Sequence, residues 1–287
     1  MKEKVRKNGQ AREVWRRLRK SRSAMLGLFI FSFFLFLAIF GTVLIPYSKS
    51  LDINVLERLE GPSAKHWFGT DGYGRDMLAR CVHSARYSIT IGIVTSMSAA
   101  VVGTILGALA SYYGGWVDLL IMRLMDVLHA IPTLLLTLVV VATLGASVTN
   151  LIIAIAIANV PGFCRMSRST MIGIGGQEYI EAAKAYGTSD ARIMFKYILP
   201  NAVGPIIVTT TMAMAGALLA ASSMSYLGLG IKPPTPEWGG LLNAGKEWIR
   251  SKPLLLFFPG MCIVLASLGF NLLGDGLRDA LDPKLKT

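Results

Sequence analysis

Asp118, Arg123, Asp126 and His129 place four ionisable groups in a stretch that is otherwise strongly apolar. Arg123 and Asp126 are three residues apart, and so are Asp126 and His129, which puts them on one face of a helix. Such a cluster can hold or gate a charge, or it can simply pair internally. A second candidate is the run Gly69-Thr70-Asp71-Gly72-Tyr73-Gly74-Arg75-Asp76, whose glycines and aspartates suggest a cation loop. It lacks the D-x-[DN]-x-[DN]-G spacing that surrounds calcium with oxygens, so a structured turn is expected instead. No G-x-x-x-x-G-K-[ST] occurs, hence no nucleotide phosphate is expected on this chain. His66, His83 and His129 are too scattered for zinc, and Cys81, Cys164 and Cys262 form no C-x-x-C pair. Cys164 and Cys262 are expected as buried thiols. With no Ser/His/Asp arrangement either, the chain is read as a non-enzyme with no catalytic residue and no metal ligand.

Composition decides what solvent surrounds these groups. Hydrophobic residues fill 53% of the 287 positions and charged ones only 16%, and mean hydropathy is +0.53. A soluble domain would carry about a quarter charged residues. The charges also cluster, leaving Ala24–Tyr47, Ser88–Val117, Pro132–Cys164, Asn201–Ile231 and Pro253–Gly274 free of them. A hydrocarbon layer of about 30 Å takes about 20 helical residues to cross. The polar patch Gly145–Asn150 divides the middle of the chain, so six spans are expected, at 24–45, 88–111, 119–144, 151–169, 203–225 and 254–274. The expected class is an all-α polytopic membrane protein. Residues 24–287 form one transmembrane domain, and residues 1–23 form a basic segment ahead of it. Gly103 and Gly107 make a small-x-x-x-small step, which reads as close helix packing.

A net charge of +12 does not point to nucleic acid here, because of where it lies. Residues 1–23 hold ten Lys or Arg against two Glu, directly before the first span. That is a positive-inside signal, and with six spans both termini are expected in the cytoplasm. On this threading the cytoplasmic side collects 19 of the 29 positive charges. The first apolar run exceeds the length of a signal-peptide core and is followed by no A-x-A-like site, so it reads as a retained anchor. The basic run before it is expected to lie on anionic lipid headgroups.

The cytoplasmic loop 170–202 carries the clearest local design. Glu178 to Tyr186 is rich in helix formers, and Gly187 suits a helix C-terminus because it tolerates φ > 0. Thr188, Ser189 and Asp190 are plausible N-caps for a second helix at 191–198, which Pro200 is expected to end before the fifth span. Small Ala182 and Ala183 let a partner surface come close. Physics alone calls this helix–glycine–helix elbow a docking site.

The pattern Glu181-Ala182-Ala183, three residues, Gly187, nine residues, a pair, then Leu199-Pro200 resembles the signature of the membrane subunits of binding-protein-dependent ABC importers. Tyr197 stands where isoleucine is usual. HWFGTDGYGRDMLAR (66–80) resembles the HPFGTDxxGRD signature of the dipeptide/oligopeptide/nickel branch, with Trp67 replacing proline. YYGGWVD (112–118), DVLHAIP (126–132), SYLGLGIKPPTPEWG (225–239) and FNLLGDGLRDALDP (270–283) are similar to the same branch, and the C-type subunit is the better match.

The resemblance implies a type I ABC importer fold and a permease subunit that moves di- or oligopeptides delivered by an extracytoplasmic solute-binding protein. Nickel or other metal chelates, opines and glutathione stay open as cargo. Implied partners are a homologous B-type permease and two cytoplasmic ATPases, which bind the ATP and magnesium; no cofactor is expected on this chain. The expected location is a bacterial or archaeal cytoplasmic membrane. Glu181, Ala182, Ala183, Gly187, Leu199 and Pro200 are the implied ATPase-coupling residues. Asp118, Arg123 and Asp126 become either a gate at the cytoplasmic end or an internally paired cluster. Gly69, Thr70, Asp71, Gly74, Arg75 and Asp76 are expected to face the binding protein. Asn159, Thr209, Thr210, Thr211, Ser222 and Ser223 are candidates for the path, though such side chains also bond to their own backbone. A secondary transporter driven by an ion gradient would need acidic groups deep in a span; Asp126 and Asp275 lie at span ends.

Overall fold

The computed structural model describes residues 12–281; residues 1–11 of the basic N-terminal segment and residues 282–287 lie outside the described residues. Residues 12–20 are helical and lead into α1 (Arg22–Leu44), with Ser21 capping the amide of Ala24. Then come α2 (Met77–Tyr113), α3 (Gly115–Ala130), α4 (Thr133–Leu144), α5 (Val148–Gly175) and the short α6 (Glu178–Ala185). The chain continues into α7 (Asp190–Tyr226), α8 (Trp238–Gly245) and α9 (Leu254–Leu281). Five of these helices are long and apolar enough to cross a membrane, and the bent pair of α3 and α4 is together long and apolar enough to count as a sixth.

That break corrects the single helix expected over 119–144. The axis turns by 87° between α3 and α4. Pro132 lacks an amide donor and forces Ile131 out of the helical region, to φ −87° and ψ 124°. Apolar composition is continuous through this point, so hydropathy alone passes over it.

Pro200 does the reverse of what was expected. Instead of ending a separate helix at 191–198, it sits in the first turn of the segment Leu199–Tyr226, and the helix runs through it. The preceding turn, Ile193–Ile198, widens to π geometry, with the Leu199 amide donating to the Met194 carbonyl. A wide turn relieves the clash between a proline ring and the carbonyl four residues back. The second arm of the elbow is therefore the first turn of a membrane helix.

α2 is the axis of the bundle and packs against α5, α7 and α1, while α9 closes the other side on α1 and α7. The close step is visible where α2 crosses α5. A Cβ on Gly103 would lie 2.5 Å from Cβ of Phe163, and one on Gly107 would lie 2.6 Å from the carbonyl oxygen of Cys164. One core layer joins Phe34, Ile89, Leu218, Trp238 and Phe270. The outward faces stay apolar, as with Phe29 and Val43 of α1, which suits lipid rather than water. Cys81 and Cys164 are buried and Cys262 is half-buried, all as free thiols.

The bundle has two structured ends. Residues 176–189 form the elbow end. Residues 45–76 and 227–253 form the opposite cap end.

Candidate functional site

At the elbow end, α6 stops in a paired hydrogen-bond closure. The Gly187 amide donates to the Lys184 carbonyl at 2.9 Å, and the Thr188 amide to the Ala183 carbonyl at 3.1 Å. This two-bond closure requires the left-handed backbone that Gly187 adopts at φ +71°. Ile180 anchors α6 from beneath, fully buried against Met171, Ile193, Ile198 and Ala202. The opposite face is left free: Glu181, Ala182 and Gly187 are exposed, Ala183 is half-buried, and Tyr186 projects at the tip, 90% exposed. Leu199 is half-buried in the same small core and Pro200 is exposed. Tyr197, the irregular position, packs at the rim of that core within the widened turn, and its carbonyl accepts from Asn201 at 2.7 Å.

The elbow is tied to the bundle axis. Tyr112, at the last turn of α2, donates from its hydroxyl to Asp190 Oδ1 at 2.6 Å, and the Lys184 ammonium lies 5.7 Å from the Tyr112 ring centre. Asp190 therefore serves Tyr112 and does not cap its own helix. Sequence reading treated Asp190 only as a cap and missed Tyr112.

The α3 cluster is brought together, with two partners that the sequence reading did not name. Arg168 of α5 donates from Nε and Nη2 to the two carboxylate oxygens of Asp118, each at 2.5 Å. Arg165 donates to Asp126 at 2.8 Å, and Arg123 lies 3.6 Å from the same carboxylate. Arg123 itself is 74% exposed, and His129 is exposed without joining the cluster. A cleft of 480 Å³ opens among Asp118, Met122, Arg123, Asp126 and Arg168. The available signal was the pair Arg165 and Arg168, three apart at the end of a span and facing carboxylates on the neighbouring helix.

At the cap end, Gly69 to Asp76 folds as a closed turn. Asp71 accepts from the Tyr73 amide at 2.8 Å, the Arg75 amide at 3.0 Å and the Arg75 guanidinium at 2.8 Å. Gly74 has φ +76°, and a Cβ there would collide with the Asn54 backbone. Thr70 Oγ1 accepts the Glu60 amide at 2.9 Å and donates to the Glu57 carbonyl. Asp76 caps the Ala79 amide of α2 at 2.7 Å with one oxygen and meets His66 Nδ1 at 2.7 Å with the other. His66 Nε2 is 3.2 Å from Glu57, which also pairs with Lys65. The Asp76 bond, and then that to Glu57, raises the His66 pKa above 6.5, with burial opposing. Arg80 lies in α2 ahead of the charge-free run that starts at 88; its Nη1 donates to the Ser50 carbonyl at 3.0 Å and Asp71 stands nearby.

The segment 232–238, with three prolines, hides a carboxylate. Glu237 is 1% exposed among the helices. It caps α8, accepting from the Gly239 and Gly240 amides at 2.9 Å each and from the Ser88 hydroxyl at 3.2 Å. A Cβ on Gly239 would lie 2.3 Å from the Ser222 carbonyl oxygen, so only glycine lets α8 approach α7 here. Trp238 is fully buried and donates to the Cys81 carbonyl at 2.9 Å.

The polar residues proposed for a path mostly turn inward on their own helices. Asn159, Thr210, Thr211 and Ser223 each donate to the carbonyl four residues back, at 2.8, 2.7, 2.9 and 2.8 Å. Thr209 is half-buried, and the buried Ser222 hydroxyl has no partner.

Residues 99–287 match the family described as "binding-protein-dependent transport system inner membrane component", and residues 9–62 match the "N-terminal TM domain of oligopeptide transport permease C". The dipeptide transport system permease protein DppC of Alkalihalophilus pseudofirmus is 47% identical over 276 residues, 96% of this chain and 90% of that protein. The glutathione transport system permease protein GsiD of Pectobacterium atrosepticum is 42% identical over 277 residues, 96% of this chain and 92% of that protein. A chain from the methionine ABC transporter MetNI in inward-facing conformations superposes with a TM-score of 0.58 at 16% identity. It covers 72% of this chain and 98% of that one.

Proposed function

This chain belongs to the family of binding-protein-dependent transport system inner membrane components, in the C-type permease branch of the peptide importers; on that premise we propose that it carries short peptides across a cytoplasmic membrane, powered by ATPases on other chains. A dipeptide permease and a glutathione permease among its relatives both support short peptides as the cargo class. A B-type permease would complete the pathway, and a solute-binding protein would deliver peptide at the cap end.

The observation that carries this reading is the exposed elbow. Glu181, Ala182 and Gly187 form a free convex surface, closed by hydrogen bonds at Gly187 and tied to α2 through Tyr112 and Asp190. A rigid knob with small side chains suits insertion into a groove on an ATPase that binds the ATP and magnesium. The basic segment 1–23 supports a cytoplasmic side for the elbow end and both termini through the positive-inside rule. The cap turn, whose carboxylates are all engaged, is a preformed surface for the binding protein. Asp118 and Asp126, each held by an arginine of α5, act as a latch between α3 and α5 at the cytoplasmic end.

The test is co-purification of the ATPases with the assembled permease pair. Glu181→Ala combined with Gly187→Leu is expected to abolish ATPase association and ATP-driven peptide uptake while the permease pair still assembles. Retention of both activities in that variant would sink the coupling role.

A further inference from the structure

Between the cap turn and the α7–α8 connection lies a cavity of 610 Å³, bounded on one side by Asp71, Tyr73 and Arg75 of that turn. Its size falls within the roughly 300–1,000 Å³ of small-ligand sites. Four cationic side chains line it, from Arg58, Arg75, Arg80 and Lys232, against the two carboxylates of Asp71 and Glu247. Asp71 is already saturated by two amides and the Arg75 guanidinium. Arg80 is 4% exposed, and its Nε, 3.5 Å from Asp71 Oδ2, makes no hydrogen bond. One carboxylate thus faces two buried guanidinium groups, so the floor of the cavity carries a surplus positive charge that an incoming anion would offset.

The rim adds selectivity. Arg58 and Lys232 are exposed, and the Arg58 guanidinium lies over the Trp248 ring at 5.3 Å. Glu247 is exposed on the same rim. Guanidinium forks match carboxylates in shape as well as charge. An excess of cations inside, with one free carboxylate at the mouth, complements a small zwitterion better than a simple anion.

We propose that this cavity is a carboxylate-binding site, which takes the C-terminal carboxylate of a short peptide between its release from the binding protein and its entry into the pathway. The proposal rests on the peptide-import reading above. The Glu247 carboxylate would face the peptide's ammonium group.

The test uses the full transporter, this chain with its partner permease and ATPases, in lipid nanodiscs without binding protein or ATP. Dialanine and its C-terminal amide are titrated while tryptophan fluorescence is read, with Trp248→Phe as the blank. Dialanine is expected to give a saturable change and the amide a response about tenfold weaker or more, the factor one charge-assisted hydrogen bond supplies. The dialanine response should disappear in Arg58→Gln and in Lys232→Gln, both exposed positions that leave the fold intact. Equal responses to acid and amide, or a dialanine response that persists in both variants, would overturn the site. So would a silent cavity whose Arg58→Gln variant loses only binding-protein docking, since the cavity would then receive an acidic side chain of that protein. ATP-driven dialanine uptake, measured in vesicles alongside, separates the two claims. Uptake without a cavity response overturns the site alone, whereas absence of both overturns the import reading with it.

Discussion

Replacing Gly187 by alanine isolates one physical quantity at the elbow. A Cβ at this position meets nothing within 4 Å, so the substitution introduces no clash. What remains is the backbone, held at φ +71°. A left-handed conformation costs a residue with a side chain about 1–2 kcal/mol. If docking needs this turn, Gly187→Ala should weaken ATPase binding by about 5–30-fold at about 1.4 kcal/mol per decade. Melting of the bundle should barely change, because α6 contributes only Ile180 to a buried core. Asparagine tolerates left-handed geometry far better, so Gly187→Asn should recover most of the affinity. The assay is titration of nanodisc-held permease pair with labelled ATPase, beside a thermal melt. Wild-type affinity in Gly187→Ala, or equal loss in Gly187→Asn and Gly187→Ala, would refute the idea that the backbone conformation at Gly187 is what docking requires.

Other perturbations test the remaining features. His66 has its pKa raised by Asp76 and Glu57, so its stabilisation is full below about pH 6.5, the unfolded value, and is lost as pH rises through the higher folded value. The hydrogen-exchange protection factors across residues 57–76, taken relative to the intrinsic base-catalysed rate at each pH, should therefore fall as pH rises, and His66→Gln should flatten that dependence. Asp118→Asn and Arg168→Gln should each reduce uptake with assembly intact. The double variant should lose less stability than the sum, by a coupling of about 0.5–3 kcal/mol in a denaturation cycle; strict additivity would rule out the latch. Gly239→Ala should destabilise the bundle by about 1–3 kcal/mol, because its new methyl overlaps the Ser222 carbonyl. Glu237→Ala should cost about 0.5–2 kcal/mol through loss of the α8 cap, and unchanged melting of either variant would count against the tight α7–α8 seam.

Much of this architecture was legible because lipid imposes a simple rule, the exclusion of charge from long apolar runs. The elbow was legible too, since helix formers, a glycine and small residues each act locally. What escaped involved pairs distant in sequence. Asp118 and Arg168 are 50 residues apart, so the spacing of Arg165 and Arg168 marks a face but not its partner, and nothing near Asp190 announces Tyr112. Arg80 and Arg86 made the second span look as though it began at 88, although burial of Arg80 beside Asp71 and the Ser50 carbonyl lets α2 start at Met77. Glu237 lies between the spans expected at 203–225 and 254–274 and gives no local signal, because its acceptor role depends on two amides that are free only once α8 has formed. The two prolines had opposite outcomes from one chemistry. Pro132 breaks its helix, whereas Pro200 is absorbed by a wider turn.

The proportions of α2 have a mechanical meaning. It begins at the cap turn, where Asp76 caps it, and ends at Tyr112 and Tyr113 beside the elbow, with no proline in its 37 residues. At 1.5 Å per residue it measures about 55 Å, well beyond the hydrocarbon thickness of about 30 Å. Its tightest crossing, at Gly103 and Gly107 against α5, is far from the middle. About 39 Å of rod lies on the cap side of Gly103 and about 9 Å on the elbow side of Gly107. With no proline to bend it and its cap-side half largely buried from Met77 to Gly92, α2 is a continuous strut that gives a displacement at the elbow a direct path to the cap end.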